Sequence, residues 1–482
     1  MHDEFAKKSP PTVLVQATMA HALSSERVNA LFEATAEAQY TRELAFSTLI
    51  DLMAPVVGGM HPSVHAAYQK NKEEIGASVA AVCEKLQGIE PEVCEALVRD
   101  VSCRLAQVID AMPGGKRKPL LPGYQVRILD GNYIAASEHR IAELRETSAG
   151  PLPGKSLVVL DPERMLGSDI FLCEDGHAQE RSLLDQVLER VRERELWISD
   201  RNFCRQGFLS GINRQKSYFI IRLHSGLRYE ESAPWREIGP TATGARSART
   251  GVPGFVMERK ITIDDGEGDK LALRLVRLNL STPTRDGEDV LYLLTNLSES
   301  TADAIKVTEL YRNRWLLETA FYHLKKSLNC EINPRAPGLG YPKAALFAFS
   351  VSLLAYNIFS VTRAALRAKW GEKAGDEDVS MYCMTEEISA VHRGMMIVLS
   401  SEAWDRYAKA TPEQLAAELL ALAGKINLKQ YRKHPRGPKK PANPRASDPK
   451  HPHVSTKKLL DTRGKRLRRN RRERRHLERA GR

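Results

Sequence analysis

At Pro113-Gly114-Gly115 the hydrophobic pattern of the chain changes period. From about 18 to 112, apolar and polar residues alternate at helical spacing, as in LFEATAEAQYTRELAFSTLIDLM and VAAVCEKLQGIEPEVCEALVRDVSCRLAQVI. A helical N-terminal domain over 1–115 is therefore expected. Pro119 and Leu-Pro-Gly at 121–123 extend the break. Beyond it VRILDGNY, SLVVLD and DIFLCED read as strands, HAQERSLLDQVLERVRERE as an amphipathic helix, LWISD as a strand, RNFCRQGFLSGINRQK as a helix and SYFIIRLH as a fifth strand. Short apolar strands interleaved with helices must pair in one sheet that the helices cover, which makes 120–224 an α/β unit with a mixed sheet. Helical periodicity vanishes from 225 to 300, where KLALRLVRLNL and VLYLLTNL mark a β-rich insertion. A long helix is expected from about 302 to 328, within a segment (301–370) that completes the core, and a helical C-terminal region follows over 371–424.

Charge divides the chain differently. The 482 residues carry a formal net charge of +12, yet 425–482 alone holds 22 Lys and Arg against Asp448, Asp461, Glu473 and Glu478. The remainder is therefore mildly acidic, and an anionic partner is drawn chiefly by a basic, disordered tail. Runs such as Arg468-Arg469-Asn470-Arg471-Arg472 suit phosphate contacts without sequence readout. Seven cysteines without a CxxC pair argue against a zinc ribbon or a disulfide framework and fit a reducing cytoplasm. The start, MHDEFAKKSPPTV, lacks the pattern of a secretory signal. Residues 344–361, AALFAFSVSLLAYNIFSV, approach the length of a membrane span without a charge. Ser350, Ser352, Tyr356, Asn357 and Ser360 recur through them, so a buried core helix is expected and no membrane partner.

The sharpest local signal is Tyr311-Arg-Asn-Arg314-Trp315-Leu-Leu-Glu318, with Lys325 seven residues further on. On one continuous helix Tyr311, Arg314, Glu318 and Lys325 fall within roughly 60° of one another. Leu317, Phe321, Leu324 and Leu328 take the neighbouring face, which can anchor the helix while the polar stripe looks into a cleft. Periodicity alone favours an ordinary solvated face with an i,i+4 Glu–Arg pair. Upstream, Asp130 closes the apolar run VRIL and Asp200 closes LWI, so both emerge at strand ends of one sheet. Adjacent strands lie about 5 Å apart, close enough for two carboxylates to share a cation. Taken singly, an Asp at a strand end is usually a turn or cap residue, and it is the combination with the helical stripe that changes the reading.

Together these residues resemble the insertion-sequence transposases that carry a DDE triad on an RNase H-like fold and the signature Tyr, two residues, Arg, three residues, Glu, six residues, Lys. That signature is complete here at Tyr311, Arg314, Glu318 and Lys325. The resemblance spans about 120–370 and includes the β insertion; the tail section YRKHPRGPKKPANPR is also similar to the basic ends of such proteins. One departure is Asn202, where members commonly have Gly two residues after the second Asp.

The resemblance implies an RNase H-like catalytic core and a metal-dependent phosphoryl transferase. Asp130, Asp200 and Glu318 would hold two Mg²⁺, with Mn²⁺ as substitute. Tyr311, Arg314, Trp315 and Lys325 would contact DNA, Trp315 beside an extruded base unless it is a core aromatic next to the cleft. Double-stranded DNA, as transposon ends and target, would be the partner, bound by a dimer in the synaptic complex. The N-terminal helices would bind the terminal repeats, and the protein would act in the bacterial cytoplasm, on the nucleoid. A transposase-derived DNA-binding protein or a host nuclease on the same core are the other readings. His139 and Arg140 are weaker candidates for DNA contact, Asp161, Glu174 and Asp175 are expected in turns, and Asp264-Asp265 in a hairpin turn.

Overall fold

The computed structural model describes residues 1–41, 43–57, 61, 63–133, 155–174, 178–241, 254–281, 283–284, 287–326, 342–433 and 466. His139, Arg140, Asp175 and nearly all of the basic tail lie outside them.

Seven helices come first: α1 (His2–Lys8), α2 (Pro10–Ala22), α3 (Ser25–Thr35), α4 (Phe46–Val57), α5 (Val64–Lys70), α6 (Val79–Gly88) and α7 (Pro91–Asp110). The mixed α/β part follows with β1 (Gln125–Tyr133), β2 (Lys155–Asp161), β3 (Leu166–Cys173), α8 (Leu184–Leu188), β4 (Glu195–Ser199), α9 (Gln206–Arg214) and β5 (Tyr218–Arg222). The insertion supplies β6 (Glu230–Glu231), β7 (Arg236–Pro240), β8 (Gly254–Asp264), β9 (Lys270–Leu280) and β10 (Val290–Thr295). The helices α10 (Ala304–Arg312), α11 (Trp315–Lys326), α12 (Pro342–Trp370), α13 (Met381–Val398), α14 (Glu402–Ala408) and α15 (Pro412–Lys425) complete the order.

One sheet runs β3-β2-β1-β4-β5-β10-β9-β8-β6, with β7 paired to β8. Its first three strands are antiparallel neighbours, whereas β4 and β5 join parallel to β1, the mixed core that the resemblance implies. The inserted strands extend this same sheet, because β10 pairs with β5 antiparallel. One apolar cluster joins Ile128, Ile198 and Ile220 on one sheet face to the N-terminal helices, α12 and the C-terminal helices. A second lies on the opposite face, where Leu129, Trp197 and Phe219 meet Leu184 and Val187 of α8 and Leu209 and Ile212 of α9. Alternation along each strand thus decides which cluster a side chain joins.

The edge strand β3 is covered by α7. Glu95 accepts the Leu172 backbone N–H at 2.8 Å and Arg99 donates to Asp169 at 2.5 Å, so edge groups that invite pairing with another chain are occupied. The span-like segment lies in α12, whose most apolar window is 89% buried inside the protein. Its polar residues explain the burial. Asn357 accepts the Gly167 N–H at 2.8 Å and donates to the Gly167 carbonyl at 3.0 Å, while Ser360 donates to the Met165 carbonyl at 2.7 Å. The helix therefore docks on the β2–β3 hairpin by satisfying its backbone.

Three helix expectations need correction. The helix expected over 177–195 shrinks to a 3-10 turn at Glu180–Leu183 followed by α8. Glu195 draws the chain into β4 instead: its buried carboxylate accepts the Arg192 N–H and the Trp197 indole N–H, and Arg194 turns with φ 64°. The helix expected over 201–216 splits into a 3-10 turn at Arg201–Phe203 and α9. The long helix expected over 302–328 breaks between α10 and α11. There Asn313 Nδ2 donates to the Glu309 carbonyl at 3.0 Å, occupying the acceptor that the Asn313 N–H would use in a continuing helix, and the backbone N–H groups of 313, 314, 316 and 317 bond three residues back. Asp161 ends β2 and Asp265 directly follows β8, and each accepts backbone N–H groups of the turn beyond it, two to four residues ahead.

Replacing Asn357 by Leu leaves one backbone donor and one acceptor buried without partners. A loss of about 2–4 kcal/mol is expected, read as a lowered chemical-denaturation midpoint; an unchanged midpoint would show that the hairpin does not depend on this amide.

Candidate active site

The pairing of β1 with β4 sets the site. Ile128 lies opposite Ile198 and Leu129 opposite Ser199 in a parallel register, so the next rung puts Asp130 beside Asp200. Side chains alternate between faces, so Asp130 shares the face of Ile128, the face onto which α11 packs. Asp200 keeps an extended backbone, φ −80° and ψ 173°, and caps the 3-10 turn at Arg201–Phe203. Asn202 stands inside that turn without a left-handed backbone; among the described non-glycine residues only Met165, Arg194 and Lys216 have positive φ. The departure from glycine at 202 therefore costs no strain. Its side chain reaches Glu180 Oε2 at 3.4 Å. Gly131 permits this close packing, since a Cβ there would stand 2.3 Å from Glu180 Oε1.

Arg314 follows the break between α10 and α11, and its guanidinium bridges two carboxylates. Nη1 donates to Asp130 Oδ2 at 2.8 Å and Nη2 pairs with Glu318 Oε1 at 2.6 Å. The Arg314 side chain is only 14% exposed, and its Nε is buried without a hydrogen-bond partner. From the last turn of α10 the buried Tyr311 hydroxyl donates to Asp200 Oδ1 at 3.5 Å. Although α10 and α11 are separate helices, Tyr311, Arg314 and Glu318 still converge on the two Asp residues.

Burial pushes the Asp130 carboxyl up to about 6. The Arg314 charge and the Gly131 N–H oppose that rise, and the charges of Asp200 and Glu318 add to it. All three carboxylates are therefore felt at one point. Arg314 rises despite its own burial, because Asp130, Glu318 and Asp200 favour its charged form. Tyr311 is pushed up by burial and by the Asp200 charge, so its hydroxyl keeps its proton and remains a donor. Trp315 is 65% exposed and Tyr322, two turns along α11, is exposed too. A core position for Trp315 is thus ruled out. Lys325 follows on the same helix.

Three charged groups beside the site carried no periodic signal in the sequence. Arg201 Nη1 and Arg222 Nη2 both pair with Glu288 Oε1, at 3.0 and 2.5 Å. Arg201 is adjacent to Asp200, which could have drawn attention to it; Arg222 and Glu288 come near only through the pairing of β5 with β10.

Among the described residues no group of three His, Cys, Asp or Glu side chains is close enough to hold a metal ion. The Arg314 guanidinium lies between two of the three carboxylates and supplies a single positive charge to the group. All-oxygen donors with excess negative charge, one of them desolvated, suit a hard divalent cation once that guanidinium withdraws.

Residues 123–358 match the family model described as a transposase DDE domain. No curated protein matches the chain. The matched stretch opens just before β1 and closes within α12, so it contains every strand of the sheet together with α10 and α11. Residues 123–358 are thus a transposase DDE domain, built on this sheet.

Proposed function

We propose that this protein moves an insertion sequence by cut-and-paste transposition, with Asp130, Asp200 and Glu318 as the catalytic carboxylates. Phosphodiester hydrolysis at the terminal inverted repeats frees a 3′-hydroxyl, and the same site then joins that hydroxyl to target DNA. The observation that carries this reading is the Arg314 bridge between Asp130 and Glu318, with Asp200 on the next rung of the sheet. It gathers side chains 188 positions apart around one compensating cation.

Asp130, Asp200 and Glu318 would hold two Mg²⁺, with Mn²⁺ as substitute. When bound, the ions supply Lewis-acid activation and charge neutralisation for an in-line displacement at phosphorus. The chain's own residues do the rest. Arg314, released from the carboxylates, offers its forked donors to a phosphate beside the scissile bond. Tyr311, held protonated, donates to a neighbouring phosphate oxygen. The exposed Trp315 indole offers a stacking face to a base displaced from the duplex, and Lys325 adds a cation on the same helix. The basic segment 425–482 holds flanking DNA through charge alone, and helices within 1–115 recognise the repeats. Two copies bring two ends together on double-stranded DNA in the bacterial cytoplasm.

Asp130→Ala, Asp200→Ala and Glu318→Ala are each expected to slow Mg²⁺-dependent nicking of the native end sequence by about a thousandfold or more, with gel-shift binding of the ends retained. A variant that cuts at the wild-type rate removes its residue from the triad. A second expectation concerns stability without DNA. A cation that binds only the folded protein raises its melting temperature, so Mg²⁺ should lift that of the wild type by about 2–4 °C and leave Asp130→Ala unmoved. An equal rise in both places the ions elsewhere.

A further inference from the structure

One oxygen of Glu288 holds two guanidiniums. Arg201 and Arg222 come from different strand ends of the core, and Glu288 from the turn that leads into β10. Its backbone is fixed there, because the Glu288 N–H donates to Thr284 Oγ1 at 3.1 Å and the Thr284 N–H to the Glu288 carbonyl at 2.7 Å. Two cations facing one carboxylate leave a positive excess. That excess borders the catalytic carboxylates: Arg201 follows Asp200 directly, and the charge of Arg222 is felt at Tyr311, whose hydroxyl reaches Asp200.

We infer that Arg201 and Arg222 form a binding site for a DNA backbone phosphate on the Asp200 flank of the cleft, and that Glu288 occupies it until DNA arrives. The inference rests on the proposed DNA-cutting role of the neighbouring carboxylates. A phosphodiester presents two unesterified oxygens, one for each guanidinium, where the carboxylate now shares a single oxygen between them. Displacement begins at the Arg201 contact, where Arg201 is 47% and Glu288 30% exposed and solvent screens the pair, whereas Arg222 is 17% exposed. Meanwhile Glu288 holds its own proton weakly, chiefly through the hydrogen bond from Arg222, so it remains an anion that keeps the two like charges together. Arg314 on one flank and this pair on the other would then grip the strand on both sides of the scissile phosphate. Glu288 imposes a threshold, since an anion must outcompete it to enter.

The test uses the full chain, a labelled duplex of arbitrary sequence and EDTA, so that binding is read without cutting. Glu288→Gln should bind the duplex about fivefold more tightly than wild type at low salt, the factor expected for removing one competing charge. Arg201→Ala and Arg222→Ala should each lower the slope of log affinity against log salt by about one. The slope does not depend on how much of a sample is folded, so poor folding cannot imitate the result. In the Arg222→Ala background, Glu288→Gln should gain less than it does alone. Wild-type affinity in Glu288→Gln, or wild-type slopes in both arginine variants, overturns the inference. A parallel Mg²⁺ cutting assay on the native ends keeps the two readings apart: wild-type protein that binds through these arginines but never cuts removes the catalytic proposal and leaves the phosphate site standing.

Discussion

Two carboxylates on adjacent parallel strands repel each other, and the site is arranged around that repulsion. The register of β1 with β4 runs to Leu129 opposite Ser199, so Asp130 and the Asp200 that directly follows β4 stay close, and the apolar packing on both sheet faces holds the strands where they are. Glu318 brings a third negative charge. Burial then makes the ionised form of Asp130 costly, which is why its proton is held up to about 6. Compensation has to come from a cation, and Arg314 provides it. Its guanidinium fits two carboxylates at once because its donors form a rigid fork. A lysine would reach one of them.

The break between α10 and α11 has its cause in the same requirement. α10 packs over β4, β5 and the inserted strands, whereas α11 packs on β1. A straight helix drawn through 302–328 would have to serve both contacts along one axis. Asn313 ends α10 by using its side chain on the Glu309 carbonyl, and the tightened turn that follows sets Arg314 at the start of α11, one turn before Glu318.

Much of this was legible in the sequence, and the parts that were not share a reason. Asp200 was placed at a strand end because it closes a short apolar run, and it directly follows β4; Asp130, expected at a strand end for the same reason, lies inside β1, which continues to Tyr133 because its far residues pair with β2. The grouping of Tyr311, Arg314 and Glu318 rested on a continuous helix that does not exist. They converge nevertheless, since the turn at 313–314 redirects the chain toward β1 without carrying either side chain away from the Asp pair. Burial of 344–361 was readable from Asn357 and the serines, although their hairpin partners at Met165 and Gly167 were not. The helix expected over 177–195 failed because Glu195 and Trp197 make their hydrogen bonds in a strand, a preference with no periodic trace. The pairing of Arg222 with Glu288 was invisible for a different cause. It follows from β10 returning across the whole insertion to pair with β5, and no local pattern encodes a partner so far away.

That return has a mechanical consequence. Because β10 pairs with β5 through Leu293–Arg222, Leu294–Ile221 and Thr295–Ile220, the insertion is a continuation of the catalytic sheet and cannot move as an independent flap. Arg274 strengthens the union: from β9 it pairs with the buried Glu258 at 2.6 Å and donates to the carbonyls of Leu297 and Ala302 at 3.0 and 2.8 Å, just ahead of α10. The insertion, the start of α10 and the core strands therefore hold one fixed geometry. Among the described residues, two charged side chains that face the cleft from this frame are Arg314, paired with two carboxylates, and Glu288, paired with two guanidiniums. In the proposed mechanism each gives up its present partner, Arg314 to a phosphate as divalent cations take its carboxylates, and Glu288 as a phosphate takes its guanidiniums.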